Sequence, residues 1–301
     1  MSDRNLTPLA YIGAIARAGS IRKAAETLAI TSTALNRRVL ALEEELGVPL
    51  FERLPRGVRL SVAGELLLAH LRAQASEFEK FKSQVADLAG ERRGHVRIAC
   101  SQALLPYFLP EQISRYRGEH AAVTFDVRVR DRAAAEQALV ELSADIALVF
   151  EPVRLREVQV LVSVRQAVHA VMAEDHPLAR KEVVRLRDCA AYPVGLPASQ
   201  YGVRHLIDMA LLRSSVELPV TLVSDSFEFL RRYPRHERAV SFQIPVGLPR
   251  VPDEGIVTRP IDRRDIPEGL LYLCQLRGRT LPVAAAKFAA QMEAVLEAEY
   301  T

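Results

Sequence analysis

The stretch from Leu6 to Ser61 constrains this chain most, because three apolar helical patterns follow one another with almost no linker between them. Leu9, Ile12, Ile15 and Ala16 recur at steps of three and four and so share one helix face. Gly19-Ser20 interrupts that run, and Ser20 is suited to cap a second, short helix carrying Ala24, Ala25 and Leu28. Small side chains there let a neighbouring helix approach closely. Ile30 and Thr31 leave room only for a tight turn. Thr31 or Ser32 can then cap a third helix, with Leu35, Val39, Leu42 and Leu46 on a buried stripe. Beyond Gly47, the short apolar runs around Arg53-Leu54-Pro55-Arg56-Gly57-Val58-Arg59 predict a β-hairpin that presents Arg53, Arg56 and Arg59.

Two short helices and a tight turn followed by a basic hairpin make a winged helix-turn-helix. The face opposite the stripe carries Thr31, Ser32, Thr33, Asn36 and Arg37 at the start of the third helix, with Arg38 beside them. In such a motif the first residues of the second helix of the pair meet base edges in the major groove, where Asn pairs with adenine and Arg with guanine. Arg53 and Arg56 are placed for phosphate or the minor groove. Glu43, Glu44 and Glu45 lie at the far end of the helix, where they would repel phosphate and fix one docking direction. The alternative is an ordinary three-helix domain whose arginines are only solvated. Net charge is +3, from 40 basic and 37 acidic residues, so the basic character is local to this head and the chain is no general polyanion coat.

From Ser61 to about Ala89 the pattern becomes one long amphipathic helix. Leu67, Leu71, Gln74, Phe78, Phe81, Val85 and Leu88 alternate steps of four and three, the rhythm of a coiled-coil seam. Leu71, Phe78, Phe81 and Val85 are the candidate dimerisation residues; the alternative is a helix packed on its own domain. Gly90-Glu91-Arg92-Arg93-Gly94 reads as a hinge. After it, strand and helix patterns alternate from His95 to Ala298, which implies a parallel sheet covered by helices. With 301 residues and 49% hydrophobic content, two or three compact units are expected.

The order of motifs resembles the LysR-type transcriptional regulator family. Gly19-Ser20, Ala24-Ala25, Leu42-Glu43-Glu44-Glu45-Leu46-Gly47, Leu50-Phe51-Glu52-Arg53 and Ser61-Val62-Ala63-Gly64 stand in the family's sequence of words. Two positions depart from it: Asn36 replaces a frequent Ser, and Ser32-Thr33 a frequent Gln-Pro or Gln-Ser, so no half-site sequence is carried over. The resemblance implies a multidomain fold: an all-α winged helix-turn-helix head with a β-hairpin wing over 1–60, a linker helix over 61–90, and an α/β effector domain over 94–301. That domain would have two lobes like type II periplasmic binding proteins, lobe I at about 94–164 and 266–301 and lobe II at about 165–265. The crossovers would fall near Val164–Gln166 and Asp262–Pro267. It further implies a cytoplasmic, ligand-responsive regulator that binds double-stranded promoter DNA as a dimer of dimers and engages RNA polymerase.

A small-molecule effector would then sit between the lobes, beyond the carboxyl ends of strands, where helix N-termini direct amides outward. Ser101, Gln102 and Ala103 occupy such a place after the first strand, with Ser199, Ser226 and Phe242 facing them from the second lobe. Free amides there favour a carboxylate or another polar group of the ligand. Helix capping alone is the competing role for these serines. Arg231, Arg232, Arg235 and Arg238 crowd where the family usually has Gly-x-Gly, here Glu237-Arg238-Ala239, and form either an anion clamp or a charged surface.

Other classes find little support. There is no phosphate-binding glycine loop, no nucleophile elbow and no close His pair, so neither an enzyme nor a cofactor is expected. His169 and His176 flank Glu174-Asp175 but would not focus on one metal. Cys100, Cys189 and Cys274 are widely separated, without the close pair through which some relatives sense oxidants. No apolar run reaches a membrane span and no export signal precedes the head, which argues against the remaining rival, a solute receptor that uses the same cleft without DNA.

Overall fold

Helix caps and two obligatory glycines set the head. A computed structural model describes residues 6–55, 57–88, 94–153, 157–251 and 254–300, which fall into two compact units divided at Lys82/Ser83. In the first unit α1 (Leu6–Ala18), α2 (Ile21–Thr27) and α3 (Ser32–Leu46) bury Ile12, Ile15, Ala24 and Leu35 completely. The Ser20 hydroxyl accepts from Lys23 N and the Thr31 hydroxyl from Ala34 N at 3.2 Å, caps that each stabilise a helix by ~1 kcal/mol. Between α2 and α3 the chain turns through Ala29 at φ 53°, a left-handed conformation that costs an L-residue ~1 kcal/mol and is imposed by the tightness of the turn. The stripe on α3 ends sooner than its spacing suggests. Leu35 and Val39 are buried, but Leu46 is 47% exposed because the last turn of α3 runs past the head's core.

The wing is the antiparallel pair β1 (Phe51–Leu54) and β2 (Gly57–Leu60). It is anchored by Val58 N donating to Gly19 O at 2.9 Å, an approach so close that a Cβ on Gly57 would lie 2.2 Å from that oxygen. Helix α4 (Val62–Leu88) begins under the Ser61 hydroxyl, which accepts from Gly64 N. Gly64 packs on the Leu50 carbonyl, where a Cβ would come within 2.1 Å. The Ser-x-Ala-Gly motif therefore has a steric basis. Glu43, expected only to repel phosphate, accepts from the amides of Leu50 (2.7 Å) and Phe51 (3.2 Å) and so ties α3 to the wing.

In the second unit the chain runs β3 (Gly94–Cys100), α5 (Phe108–Glu119), β4 (Val123–Val129), α6 (Arg132–Val140), β5 (Ile146–Phe150) and β6 (Val158–Gln166). It continues through β7 (His169–Ala173), α7 (Leu186–Cys189), β8 (Val194–Pro197), α8 (Gly202–Leu211) and β9 (Val220–Ser224). Next come α9 (Phe227–Arg232), β10 (Ser241–Gln243), β11 (Ile256–Pro260), β12 (Gly269–Leu276) and α10 (Val283–Tyr300). The first lobe holds a sheet of order β4-β3-β5-β12-β6; the second holds β10-β7-β11 and the parallel pair β8-β9.

The sheet expected to be parallel is mixed. β3 runs parallel to β4 and β5, but β12 returns from the second lobe and pairs antiparallel with β5 and β6. β6 stays paired with β12 as far as Gln166, so the first change of lobe falls at 167–168, beyond the Val164–Gln166 expected; the second falls at 261–268. Spacing alone would start a helix at about Leu104, but α5 begins only at Phe108, because a helix running from Leu104 would need an amide at Pro110 to donate to Pro106 O.

α10 closes the first lobe. Phe288 packs edge-on against Tyr116 (5.3 Å) and Phe125 (4.9 Å), and the Tyr116 hydroxyl donates to Ala284 O. At the end of the sheet away from the cleft, Asp145 accepts from Arg97 (2.8 Å) and Arg279 (2.6 Å), all but fully buried with Arg279. Burial pushes the Asp145 carboxyl up, but the two guanidinium groups outweigh it and hold it below the usual range.

Candidate functional site

Helix α3 presents its first turns to solvent. Thr31, Ser32, Thr33, Arg37 and Arg38 are exposed and Asn36 is half-buried, on the face opposite Leu35 and Val39. Thr31 spends its hydroxyl on the helix cap. Arg38 lies over the Tyr11 ring at 4.7 Å, which steers it along α1. Among the described residues Arg37 and Arg53 have no hydrogen-bond or ion-pair partner, whereas Arg22 pairs with Glu26 and Arg59 with Glu52 at 2.7 Å across the wing. Arg56 lies outside the described residues. The arrangement offers free guanidinium donors on the helix and at the hairpin, the chemistry that base edges and phosphates accept.

Along α4 the seam divides. Ala63, Leu67 and Leu68 pack on the head's core, whereas Phe78, Phe81 and Val85 are 44%, 56% and 46% exposed and Leu71 is half-buried. Phe78 and Phe81 stack with ring centroids 6.4 Å apart. The hinge expected at 90–93 lies outside the described residues.

In the second unit the protein's own groups bridge the two lobes at the cleft. Ser101 ends β3 and its hydroxyl faces Ala103 N at 3.5 Å. The Gln102 side-chain oxygen crosses to the second lobe and accepts from Phe227 N, the first amide of α9, at 2.6 Å. The Ser226 hydroxyl takes Phe229 N, so the amides expected to face a ligand are met from within. Arg231 of α9 lies over Tyr107 at 5.4 Å, and Gly247 approaches Ala103 so closely that a Cβ would sit 2.8 Å from its carbonyl. Beside Ser101 lies a cavity of about 10 Å³ lined in part by Arg130, Asp131, Arg132, Tyr201 and Gly202. That is room for about one water molecule.

Of the expected effector residues, Ser101 alone lines this cavity. Gln102 and Ser226 each accept from an amide of α9, Ala103 and Phe242 are buried at 1% exposure, and Ser199 is exposed. Arg130 and Arg132 carry no motif that marks them in the sequence as lining residues; only their position after β4 could have suggested them. Arg132 donates to Glu151 O, and Tyr201, in the segment 198–201 that the sequence offers as facing the cleft, packs edge-on against Phe227. Buried Gln166 is equally silent in the sequence. It accepts from Val246 N at the first crossover.

Two of the four crowded arginines share one carboxylate. Arg231 and Arg232 both bond Glu228, at 2.8 and 2.6 Å. His169 is held neutral, its pKa lowered by burial to about 4. His176 accepts from Leu178 N and packs on Tyr192. Among the described residues no group of three His, Cys, Asp or Glu is placed for a metal ion. Burial pushes each of the three thiols up to about 12, too high for a thiolate at neutral pH. No described helix is long and apolar enough to cross a membrane.

A winged helix-turn-helix head joined to a two-lobed α/β domain defines a ligand-responsive DNA-binding regulator. Comparison with known proteins agrees along the chain. The family model for the bacterial regulatory helix-turn-helix protein, lysR family, matches residues 6–65, and that for the LysR substrate binding domain matches 89–297. The chain belongs to the LysR family of transcriptional regulators and is not an enzyme. It is 30% identical to the RuBisCO operon transcriptional regulator of Allochromatium vinosum over 68% of this chain and 67% of that one. Its fold matches a cysteine variant of full-length OxyR from Pseudomonas aeruginosa with a TM-score of 0.63 at 20% identity, covering 96% of this chain and 97% of that one. It also matches full-length CbnR complexed with its target DNA, with a TM-score of 0.57 at 17% identity over 97% and 98% of the two chains.

Proposed function

We propose that α3 reads promoter DNA through Ser32, Thr33, Asn36 and Arg37, with Arg38, Arg53 and Arg56 on the backbone or minor groove, and that a small anionic effector enters between the lobes. Thr31 caps the reading helix. The observation that carries the DNA role is the pair of guanidinium groups, Arg37 on α3 and Arg53 on the wing, that have no hydrogen-bond or ion-pair partner among the described residues. CbnR, whose fold this chain shares, was solved on its target DNA.

The effector role rests on the Gln102 latch. A carboxamide oxygen on the first amide of α9 occupies the place an acidic ligand would take, and Arg130 and Arg132 at the cavity supply positive charge. An effector that displaces Gln102 opens the lobes, and it shifts the regulator only by binding the open form more tightly. Ser101, Gln102, Ala103, Ser199, Ser226 and Phe242 are the residues of this region. Leu71, Phe78, Phe81 and Val85 pair two copies of α4, and two such dimers assemble a tetramer on DNA in the cytoplasm, where RNA polymerase is the further partner. No bound cofactor is required.

The test is an anisotropy titration of the full-length protein against duplex DNA from the region upstream of its gene and against the same duplex scrambled. Preference for the upstream duplex by about a thousandfold is expected, the lower range for specific over non-specific binding. Equal binding overturns the reading.

A further inference from the structure

A second, open cavity of this unit lies away from the latched cleft. It measures about 590 Å³ and is walled by the start of α7, one face of α8, the turn after α8 and the second crossover. Four arginines, Arg185, Arg187, Arg213 and Arg264, line it with a single carboxylate, Asp265. That carboxylate is already taken: Arg185 grips it through both oxygens at 2.7 and 2.6 Å, and Leu186 N donates to it at 2.8 Å. Arg264 is neutralised by Asp262, at 3.0 Å through Nε. Arg187 and Arg213 are exposed and, among the described residues, have no hydrogen-bond or ion-pair partner. The cavity therefore carries two unmatched positive charges, beside the hydroxyls of Ser214 and Ser215 and an apolar floor that includes Leu206 and Met209.

We infer that this cavity is a second ligand site, separate from the interlobe cleft, for a small dianion with a carbon body, either a phosphate monoester or a dicarboxylate. Two guanidinium groups lining one cavity match two negative charges, and guanidinium is the group best shaped to bind carboxylate or phosphate through paired donors. The apolar floor gives the carbon body a place to bury. A solvated charged face would show neither the concavity nor the apolar floor. Position gives the site its consequence. Arg264, Asp265 and Pro267 belong to the second crossover, and Leu206 lies against Gly269, where β12 starts. A ligand there braces the segment through which the lobes are joined, so the regulator has a second input beside the cleft.

The test uses purified full-length protein without DNA, so failure of promoter recognition leaves it readable. Calorimetric titration of phenyl phosphate and of phthalate should show binding by at least one of them, tighter than benzoate, the monoanion of similar size. The tighter of the two dianions identifies the source of the charge. Arg187→Ala and Arg213→Ala should each weaken that dianion by about tenfold, the effect expected for losing one charge-assisted pair. Arg213→Lys, which keeps the charge but not the paired donors, should lose less affinity than Arg213→Ala, which separates loss of charge from loss of fold. Arg180→Ala, an equal change of net charge outside the cavity, should leave binding unchanged. Absence of binding by both dianions, benzoate binding as tightly, or an equal loss in Arg180→Ala overturns the proposal. So does a loss in Gln102→Ala without one in Arg213→Ala, which would put the ligand in the cleft.

Discussion

The head and the effector unit treat their polar groups in opposite ways. In the head, the cations that matter point outward and are left unmatched, Arg37 on α3 and Arg53 on the wing, while the carboxylate of Glu43 is turned inward to hold the wing. In the effector unit, the groups around the cleft satisfy one another: Gln102 meets α9, Ser226 caps it, and Gln166 holds Val246. A surface that must meet a rigid, highly charged duplex can be built in advance, since water solvates it meanwhile. A buried cleft cannot leave its amides unmet, so the protein's own groups meet them.

The sharpest way to break this contrast is through Asp145. Removing it as Asp145→Ala strands Arg97 and Arg279 around a buried site and should cost the effector unit ~3–5 kcal/mol, while the head's transition stays in place. Calorimetry of the full chain reads both transitions; a matching drop in the head would show that the two regions do not stand apart. His169 comes next. Its folded pKa of about 4 lies below its ordinary 6.5, so the unfolded chain binds the extra proton between those values. Stability is then full above pH 6.5 and falls by on the order of 3 kcal/mol as pH drops to 4. Urea unfolding across that range should show the slope, and His169→Leu should flatten it. A smaller effect is expected at Gln102→Ala, which leaves Phe227 N unmet and should loosen lobe closure by ~1–3 kcal/mol. Hydrogen exchange at α9 should speed up while exchange in α3 is unchanged; unaltered exchange at α9 would remove the latch.

The head was readable because its parts are neighbours in sequence. Ser20, Thr31, Gly47 and Ser61 cap or end helices within a few residues of the apolar periods they punctuate, and Gly57 and Gly64 mark close backbone approaches. Leu46 misled because periodicity gives a face and not how far the core extends along it. In the effector unit the order of strands and helices was legible, but β12's antiparallel return and the short β8, with its Gly and Pro, were not. Its site was harder still. Gln102 and Phe227 are 125 residues apart, and nothing local to either announces that they meet. Ser101 lines the cavity at a strand end, a generic ligand position that sequence can point to; Arg130 and Arg132 follow a different strand and join it only through folding.

The central claim is that the exposed α3 face reads bases while the wing only positions. It is tested most directly by anisotropy titration of wild type, Arg37→Ala and Arg53→Ala on the upstream duplex and on its scrambled counterpart at one salt concentration. The account predicts that Arg37→Ala loses ~1–3 kcal/mol more on the upstream duplex than on the scrambled one, and that Arg53→Ala weakens both alike. An equal loss on the two duplexes for Arg37→Ala would contradict it.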